Sequence, residues 1–123
     1  MKITLPIEFK YFDYQISKDE IDKAIENYQI NIKDKKALGE LNSTSEQSYI
    51  LNVSNASHKI VELKKFNENY ICSIETFDTI NGKILDRYYN DGIDFKIYPI
   101  LYGELNKELN TITNIEIQSI NIK

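Results

Sequence analysis

Apolar and polar side chains alternate at the start of the chain. From Ile3 to Tyr11 the odd positions are apolar or aromatic, whereas the even positions are mostly polar. A period of two is typical of a strand that buries one face. Because Pro6 cannot donate a backbone hydrogen bond to a neighbouring strand, we expect this strand to lie at a sheet edge.

The period changes to that of a helix after Ser17. Ser17 and Glu20 have the spacing of a capping box. Apolar residues then recur at the intervals i, i+3, i+4 and i+7, namely Ile21, Ala24, Ile25 and Tyr28. The pattern predicts an amphipathic helix of about three turns. The charged stretch 33–36 and the polar stretch 42–48 are predicted to be loops.

The middle of the chain predicts a hairpin and then a second helix. Two strand-like runs, Ser57–Phe66 and Tyr70–Phe77, flank a polar turn at residues 67–69. The dipeptide Asn81-Gly82 alone suggests another hairpin. Apolar residues with helical spacing follow it, however, and we predict a short helix that ends at Asp91-Gly92. The residues with this spacing are Ile84, Leu85, Tyr88 and Tyr89.

Two more strands are predicted towards the end of the chain. Residues 95–102 are almost all apolar or aromatic, as in a strand buried on both faces, and Pro99 must sit at an edge or a bulge. The isoleucines at 115 and 117 occupy odd positions, whereas those at 120 and 122, after Gln118-Ser119, occupy even positions. This change of phase predicts a last strand with a bulge at Gln118-Ser119.

These elements predict a single α+β domain over residues 1–123, with a mainly antiparallel sheet or small barrel and two short helices.

The formal net charge of −4 disfavours nucleic acid as a partner, because binding to phosphates needs clustered Lys and Arg. No apolar run has the roughly 18 residues of a membrane helix, and the first residues do not resemble a signal peptide. We therefore expect a soluble protein.

Candidate chemistry is sparse. His58 is the only histidine and Cys72 the only cysteine, so a tetrahedral metal site is not expected, and neither is a cofactor. Cys72 is interpreted as a small buried hydrophobic residue. Acidic side chains are scattered along the chain and are interpreted as solvated surface, among them Asp19, Glu20, Glu26, Glu40, Glu62 and Glu75.

Four short segments follow one another between residues 36 and 103. They are 36–42, which reads Lys-Ala-Leu-Gly-Glu-Leu-Asn; 53–63, which contains Ser57-His58-Lys59-Ile60; 74–83, which contains Asp-Thr-Ile-Asn-Gly-Lys; and a helix ending at Asp91-Gly92 with a strand after it. In this order they resemble the tailed-phage prohead maturation proteases, serine proteases that share a fold with the herpesvirus assemblins. The resemblance implies that fold, with a protease-like core at about 37–103, and it places the family's catalytic histidine at His58.

The departures from the family bear on activity. The family's serine strand corresponds to residues 95–103, which contain no serine, threonine or cysteine. Tyr98 falls about where the serine would be, and Ile100 about where an arginine would help to hold the oxyanion. A phenol with a pKa near 10 is a poor acyl nucleophile. His58 and Tyr98 are therefore interpreted as vestigial, and no catalytic residue is expected.

The leading hypothesis is a catalytically inactive, prohead-protease-like virion component, either head-associated or capsid-decorating. It would be assembled in the host cytoplasm in several copies, would contact capsid or other virion proteins, and would have no small-molecule substrate. Candidate interface residues are Tyr88, Tyr89, Tyr98 and Tyr102. The exposed edges expected at Pro6 and Pro99 are further candidate contact sites.

Two alternatives stay open. One is an active prohead maturation protease in which His58 acts as the base for a displaced serine. Ser73 and Ser119 are the candidates for that serine, and either would need its hydroxyl within about 3 Å of the imidazole. The other alternative is an accessory or inhibitory paralogue of a prohead protease.

Overall fold

The computed structural model describes residues 1–41 and 56–122. The loop predicted at 42–48 and the start of the second motif, at residue 53, lie outside these ranges. The described residues form these elements in chain order: β1 (Lys2–Ile7), α1 (Lys18–Lys33), β2 (Leu38–Glu40), β3 (Ala56–Phe66), β4 (Asn69–Thr76), α2 (Ile80–Asn90), β5 (Ile97–Asn106) and β6 (Thr111–Ile122).

The six strands form one sheet in the order β2-β3-β4-β1-β5-β6. Neighbouring strands are antiparallel except β1 and β5, which are parallel and are in register at Ile7 and Ile97. A parallel bridge between Leu41 and Ile122 joins the chain next to β2 to the opposite edge strand, β6. The sheet therefore curls towards a small barrel, and the prediction of a mainly antiparallel α+β fold with two helices is confirmed.

The prediction that Pro6 marks a sheet edge is wrong, because β1 lies between β4 and β5. Pro6 is opposite Ile71 of β4. On its other side, the described pairing with β5 is confined to Ile7 and Ile97, one residue beyond the proline. The missing N–H is tolerated in an internal strand because the ladder on that side is so short.

The first strand is also shorter than its alternating pattern predicts. β1 ends at Ile7, and a tight turn follows in which the Tyr14 N–H donates to the Tyr11 carbonyl oxygen at 3.0 Å. Phe12 has a φ of 50° in this turn, a left-handed conformation that breaks the extended chain. Side-chain alternation alone does not reveal such a change of backbone conformation.

The first helix begins where predicted and runs further. The Ser17 hydroxyl accepts a hydrogen bond from the Glu20 N–H at 3.2 Å, which confirms the N-cap. The Glu20 carboxylate accepts from the Asn114 N–H at 2.9 Å, so it connects the helix to β6. α1 has 16 residues and buries Ile21, Ala24, Ile25 and Tyr28 as expected. Its additional turn is held by Gln29, whose amide donates to the carbonyl oxygen of Leu63 in β3.

The second helix starts earlier than predicted, because Asn81-Gly82 forms its first turn. The Thr79 hydroxyl accepts from the Gly82 N–H at 3.0 Å and caps the helix. A Cβ at position 82 would overlap the Phe77 carbonyl oxygen, so glycine is needed here for close packing. The helix ends at Asp91-Gly92 as predicted, with Gly92 at a φ of 73°.

The two hairpins follow the sequence pattern closely. β3 and β4 pair around Asn67, as expected. In the last hairpin Ile100 is opposite Ser119, and Leu101 is opposite Ile117, so Gln118 is the extra residue of a bulge. The bulge predicted at Gln118-Ser119 is thereby confirmed. β5 is buried from Ile97 to Leu101 apart from the half-buried Tyr98, and its last five residues are exposed.

The core is rich in isoleucine and contains Cys72, which is fully buried between β1 and β3 on β4. Burial raises the pKa of the Cys72 thiol to about 12, so the thiol stays protonated at neutral pH. This agrees with the interpretation of Cys72 as a buried hydrophobic residue. Within the described ranges, no helix is long and apolar enough to cross a membrane.

We predict that α2 is held mainly by Leu85, the one large apolar side chain that it buries completely. Leu85→Ala should lower the free energy of unfolding by about 2–5 kcal/mol because it leaves a cavity in the core. Ile80→Ala is the matched control, since Ile80 lies on the same helix and is 81% exposed. Urea denaturation measures both variants, and equal losses would contradict the assignment.

Candidate functional site

His58 lies on β3, opposite Gly39 of β2 and Thr76 of β4. Its side chain is fully buried, and it shares a face of the strand with the core residue Ile60. A Cβ at position 39 would overlap both the imidazole Nε2 and the Ile120 carbonyl oxygen. Gly39 is therefore the residue that gives the ring space between β2 and β6.

Both ring nitrogens of His58 are hydrogen-bonded. Nε2 lies 2.8 Å from the Ile120 carbonyl oxygen, and Nδ1 lies 2.7 Å from the Ser57 hydroxyl. A carbonyl oxygen can only accept, so Nε2 carries the proton, and the Ser57 hydroxyl donates to Nδ1. These two contacts fix one neutral tautomer of the ring.

Burial lowers the pKa of His58 to about 4, since the charged form loses its hydration. The hydrogen bond to the Ile120 carbonyl oxygen acts in the opposite direction and only partly offsets this. The imidazole is neutral at pH 7 and chemically well suited to join two strands.

Further buried polar side chains lie at the same junction of β2 and β6. The Asn121 side-chain oxygen accepts from the Glu40 N–H at 3.0 Å and from the Ser119 hydroxyl at 3.2 Å. All three residues are buried, as are Ser57 and His58. We call this group the polar seam: Glu40, Ser57, His58, Ser119 and Asn121.

Two members of the polar seam correct or extend the sequence analysis. Glu40 was expected to be solvated, but it is buried because Leu41, the next residue, bridges to Ile122 and brings β6 against the end of β2. Asn121 was not predicted as a site residue. Its side-chain Nδ2 is buried and has no hydrogen-bond partner in the described part of the chain.

The structure does not bring either predicted serine to His58. Ser73 shares a 2.7 Å hydrogen bond with the Thr4 hydroxyl, and Ser119 donates to Asn121. Among residues 1–41 and 56–122, the hydroxyl that contacts the imidazole is that of Ser57. Sequence reasoning gave no reason to pair Ser57 with His58, because neighbouring residues of a strand point to opposite faces.

The two β5 positions that depart from the protease pattern face β6. Tyr98 is opposite Asn121, and Ile100 is opposite Ser119. Ile100 is fully buried, whereas Tyr98 is half-buried and lines a surface groove between the ends of β1 and β5. The hydrogen bonds of the two ring nitrogens of His58 are thus made with Ser57 and Ile120.

The four tyrosines predicted as interface residues lie on two elements. Tyr88 and Tyr89 are on α2, and Tyr98 and Tyr102 are on β5. Tyr89 and Tyr102 are exposed, and the other two are half-buried. Their role in an interface stays a prediction.

Over the described ranges, no group of three His, Cys, Asp or Glu side chains could hold a metal ion.

Comparison with known proteins supports the fold. No protein-family model matches the chain, and no curated protein matches it in sequence. Its structure is similar to that of the capsid assembly protease gp21 of bacteriophage T4, with a TM-score of 0.77. The match covers 98% of this chain and 80% of the T4 protein at 16% sequence identity. The chain therefore has a prohead-protease-like fold.

We predict that Gly39→Ala destabilises the protein by about 2 kcal/mol or more, because the added methyl group would displace the His58 ring and the β6 backbone together. Gly103→Ala is the control, since its methyl group would meet the Ile112 side chain at 2.8 Å and the Thr113 carbonyl oxygen at 2.9 Å, a smaller overlap than the one at position 39. Thermal and urea denaturation measure the two losses. A loss at position 39 no larger than that at 103 would contradict this account.

We also predict that the free energy of unfolding decreases as the pH is lowered, because His58 becomes protonated in the unfolded chain first. The folded-state pKa of about 4 lies below the ordinary value of 6.5, so the unfolded chain binds the proton more tightly. The His58 contribution is present above pH 6.5 and is lost as the pH falls towards 4. Between pH 7 and 5.5 the free energy of unfolding should drop by about 1 kcal/mol. Urea titrations of wild type and His58→Gln measure this, and an equal drop in both would contradict it.

Proposed function

We propose that the protein is a catalytically inactive, prohead-protease-like component of a phage head, either head-associated or capsid-decorating. The observation that carries the proposal is the environment of His58. The ring and its hydroxyl partner Ser57 are fully buried, and both ring nitrogens are hydrogen-bonded inside the fold. An imidazole in this state holds strands together and cannot meet a substrate.

The replaced positions on β5 support the same conclusion. Tyr98 stands where the family resemblance places the nucleophile, and its phenol is a poor attacking group in acyl transfer. Ile100, where the resemblance places an arginine, is buried and cannot stabilise an oxyanion. The loss of one oxyanion donor alone costs about 100- to 1000-fold in rate.

The phage head is proposed from the likeness to a T4 protein whose described role is capsid assembly. A fold of this kind that no longer cuts can still recognise the proteins around it. We therefore propose capsid or other virion proteins as partners and several copies per particle. The chain would act at the virion and be assembled in the host cytoplasm.

An active serine protease is the second candidate, and one contact favours it. The 2.7 Å bond between the Ser57 hydroxyl and His58 Nδ1 has the length expected for a nucleophile and its base. Ser57 would then need to become exposed during the reaction, since a peptide carbonyl cannot reach it in the described conformation.

The decisive experiment mixes purified protein with capsids and scaffold of the phage that encodes it. We expect binding to mature capsids at a fixed number of copies, with no cleavage of capsid or scaffold chains. Sedimentation with the capsids measures binding, and mass spectrometry detects cleavage. Ser57→Ala should bind equally well, because a structural hydroxyl is not needed at the surface.

Cleavage by the wild type that is absent in a folded Ser57→Ala variant would support the protease instead. Circular dichroism must first show that the variant is folded, since Ser57 belongs to the polar seam. Protein that neither binds capsids nor cuts scaffold would contradict both candidates.

A further inference from the structure

A groove lies outside the barrel where β1 and β5 separate. The two strands are in register at Ile7 and Ile97, and the groove beside this contact has a volume of about 520 Å³. This volume is within the range of about 300–1,000 Å³ usual for ligand sites. It is separate from the polar seam, whose side chains do not line it.

The groove is lined by two segments of the chain. One wall is formed by residues between Leu5 and Phe12, and the other by five consecutive residues, 95–99. From Pro6 to Phe12 the first wall presents every second residue to the groove. A bound polypeptide can follow both lining segments over several residues.

Aromatic and proline side chains dominate the lining: Pro6, Phe12, Phe95, Tyr98 and Pro99. Neither proline has an N–H, so a bound segment could not form a continuous β-ladder along these walls. Polyproline II segments dock in grooves lined by aromatic rings, and these segments need no ladder.

Phe12 has a disfavoured backbone conformation and an exposed aromatic ring at this groove. It combines a φ of 50°, which is disfavoured for a bulky side chain, with 65% exposure of an aromatic residue. Its ring packs edge-on against Tyr11, with the centroids 4.9 Å apart. The turn thus fixes an aromatic ring at the groove, where a bound segment would cover it.

The charges of the groove favour an acidic partner. Glu8 and Lys10 form an ion pair at 3.4 Å, which leaves Lys96 as the third charged lining residue. Lys96 makes no ion pair with the described residues. Its ammonium group can complement one carboxylate on the bound segment.

From these features we infer that the groove binds a proline-containing segment of a partner protein, in the polyproline II conformation, with an acidic residue that pairs with Lys96. The choice of a polypeptide over a small carboxylate rests on the length of the two lining segments and on the proposed function. The test uses synthetic peptides alone, so its outcome is independent of capsid binding.

Three fluorescein-labelled peptides of 12 residues serve as probes, each rich in proline and leucine with one glutamate. The glutamate occupies three successive positions across the set, since polyproline II has three residues per turn and the set then presents every face. Matched peptides carry glutamine for glutamate, or alanine for each proline. Fluorescence anisotropy at low salt measures the dissociation constants.

We expect at least one glutamate peptide to bind, with about fivefold weaker binding of its glutamine counterpart. Lys96→Gln should remove this difference, whereas the control Lys107→Gln, at an exposed lysine that does not line the groove, should keep it. Phe12→Asn should weaken binding about tenfold or more without lowering the thermal midpoint, because asparagine tolerates a positive φ. Phe66→Ala, at another exposed aromatic residue, should bind normally.

Three results would overturn the inference. The first is that none of the glutamate peptides binds. The second is equal binding of the alanine-substituted peptides, which would indicate a segment recognised without polyproline II geometry. The third is complete displacement of the peptide by hexanoate at equal concentration, which would indicate a site for small apolar carboxylates. Failure of capsid binding with intact peptide binding would contradict the proposed function and leave this inference supported.

Discussion

The hydrogen bond from His58 Nε2 to the Ile120 carbonyl oxygen is the contact on which the rest of the structure depends. It crosses from β3 to β6 over Gly39, a position where any larger residue would overlap both groups. Without this closure β2 and β6 would be open edges, with backbone groups left to water or to another chain. With it, the sheet surrounds an isoleucine-rich core.

The local elements could be predicted well from the sequence because their causes are local. The Ser17 cap, the Asn67 turn and the bulge at Gln118 follow from side-chain type and period within a few residues. The predictions that failed concern residues whose surroundings are set by segments far away in the chain. Pro6 is tolerated in an internal strand because β5, far along the chain, approaches β1 only at one pair.

The candidate site was predictable in part for the same reason. The family resemblance placed His58 on a strand and a tyrosine at the serine position, and these are properties of sequence order. The burial of Glu40 and the role of Asn121 follow from closure between β2 and β6, which are about 80 residues apart in the chain. The contact of Ser57 with His58 depends on a side-chain rotation that strand alternation does not describe.

The position of β6 also has a consequence for how the chain folds during its synthesis. This strand pairs with β5, bridges to the end of β2, receives the His58 hydrogen bond and contacts α1 through Glu20. A ribosome delivers the chain from its N-terminal side onwards, so β2, β3 and α1 emerge before β6. Until residue 122 is free, the nascent chain keeps an open sheet with a polar imidazole facing an unfinished core. Closure of the sheet is therefore delayed until β6 has been synthesised, because it joins segments that lie far apart in the chain.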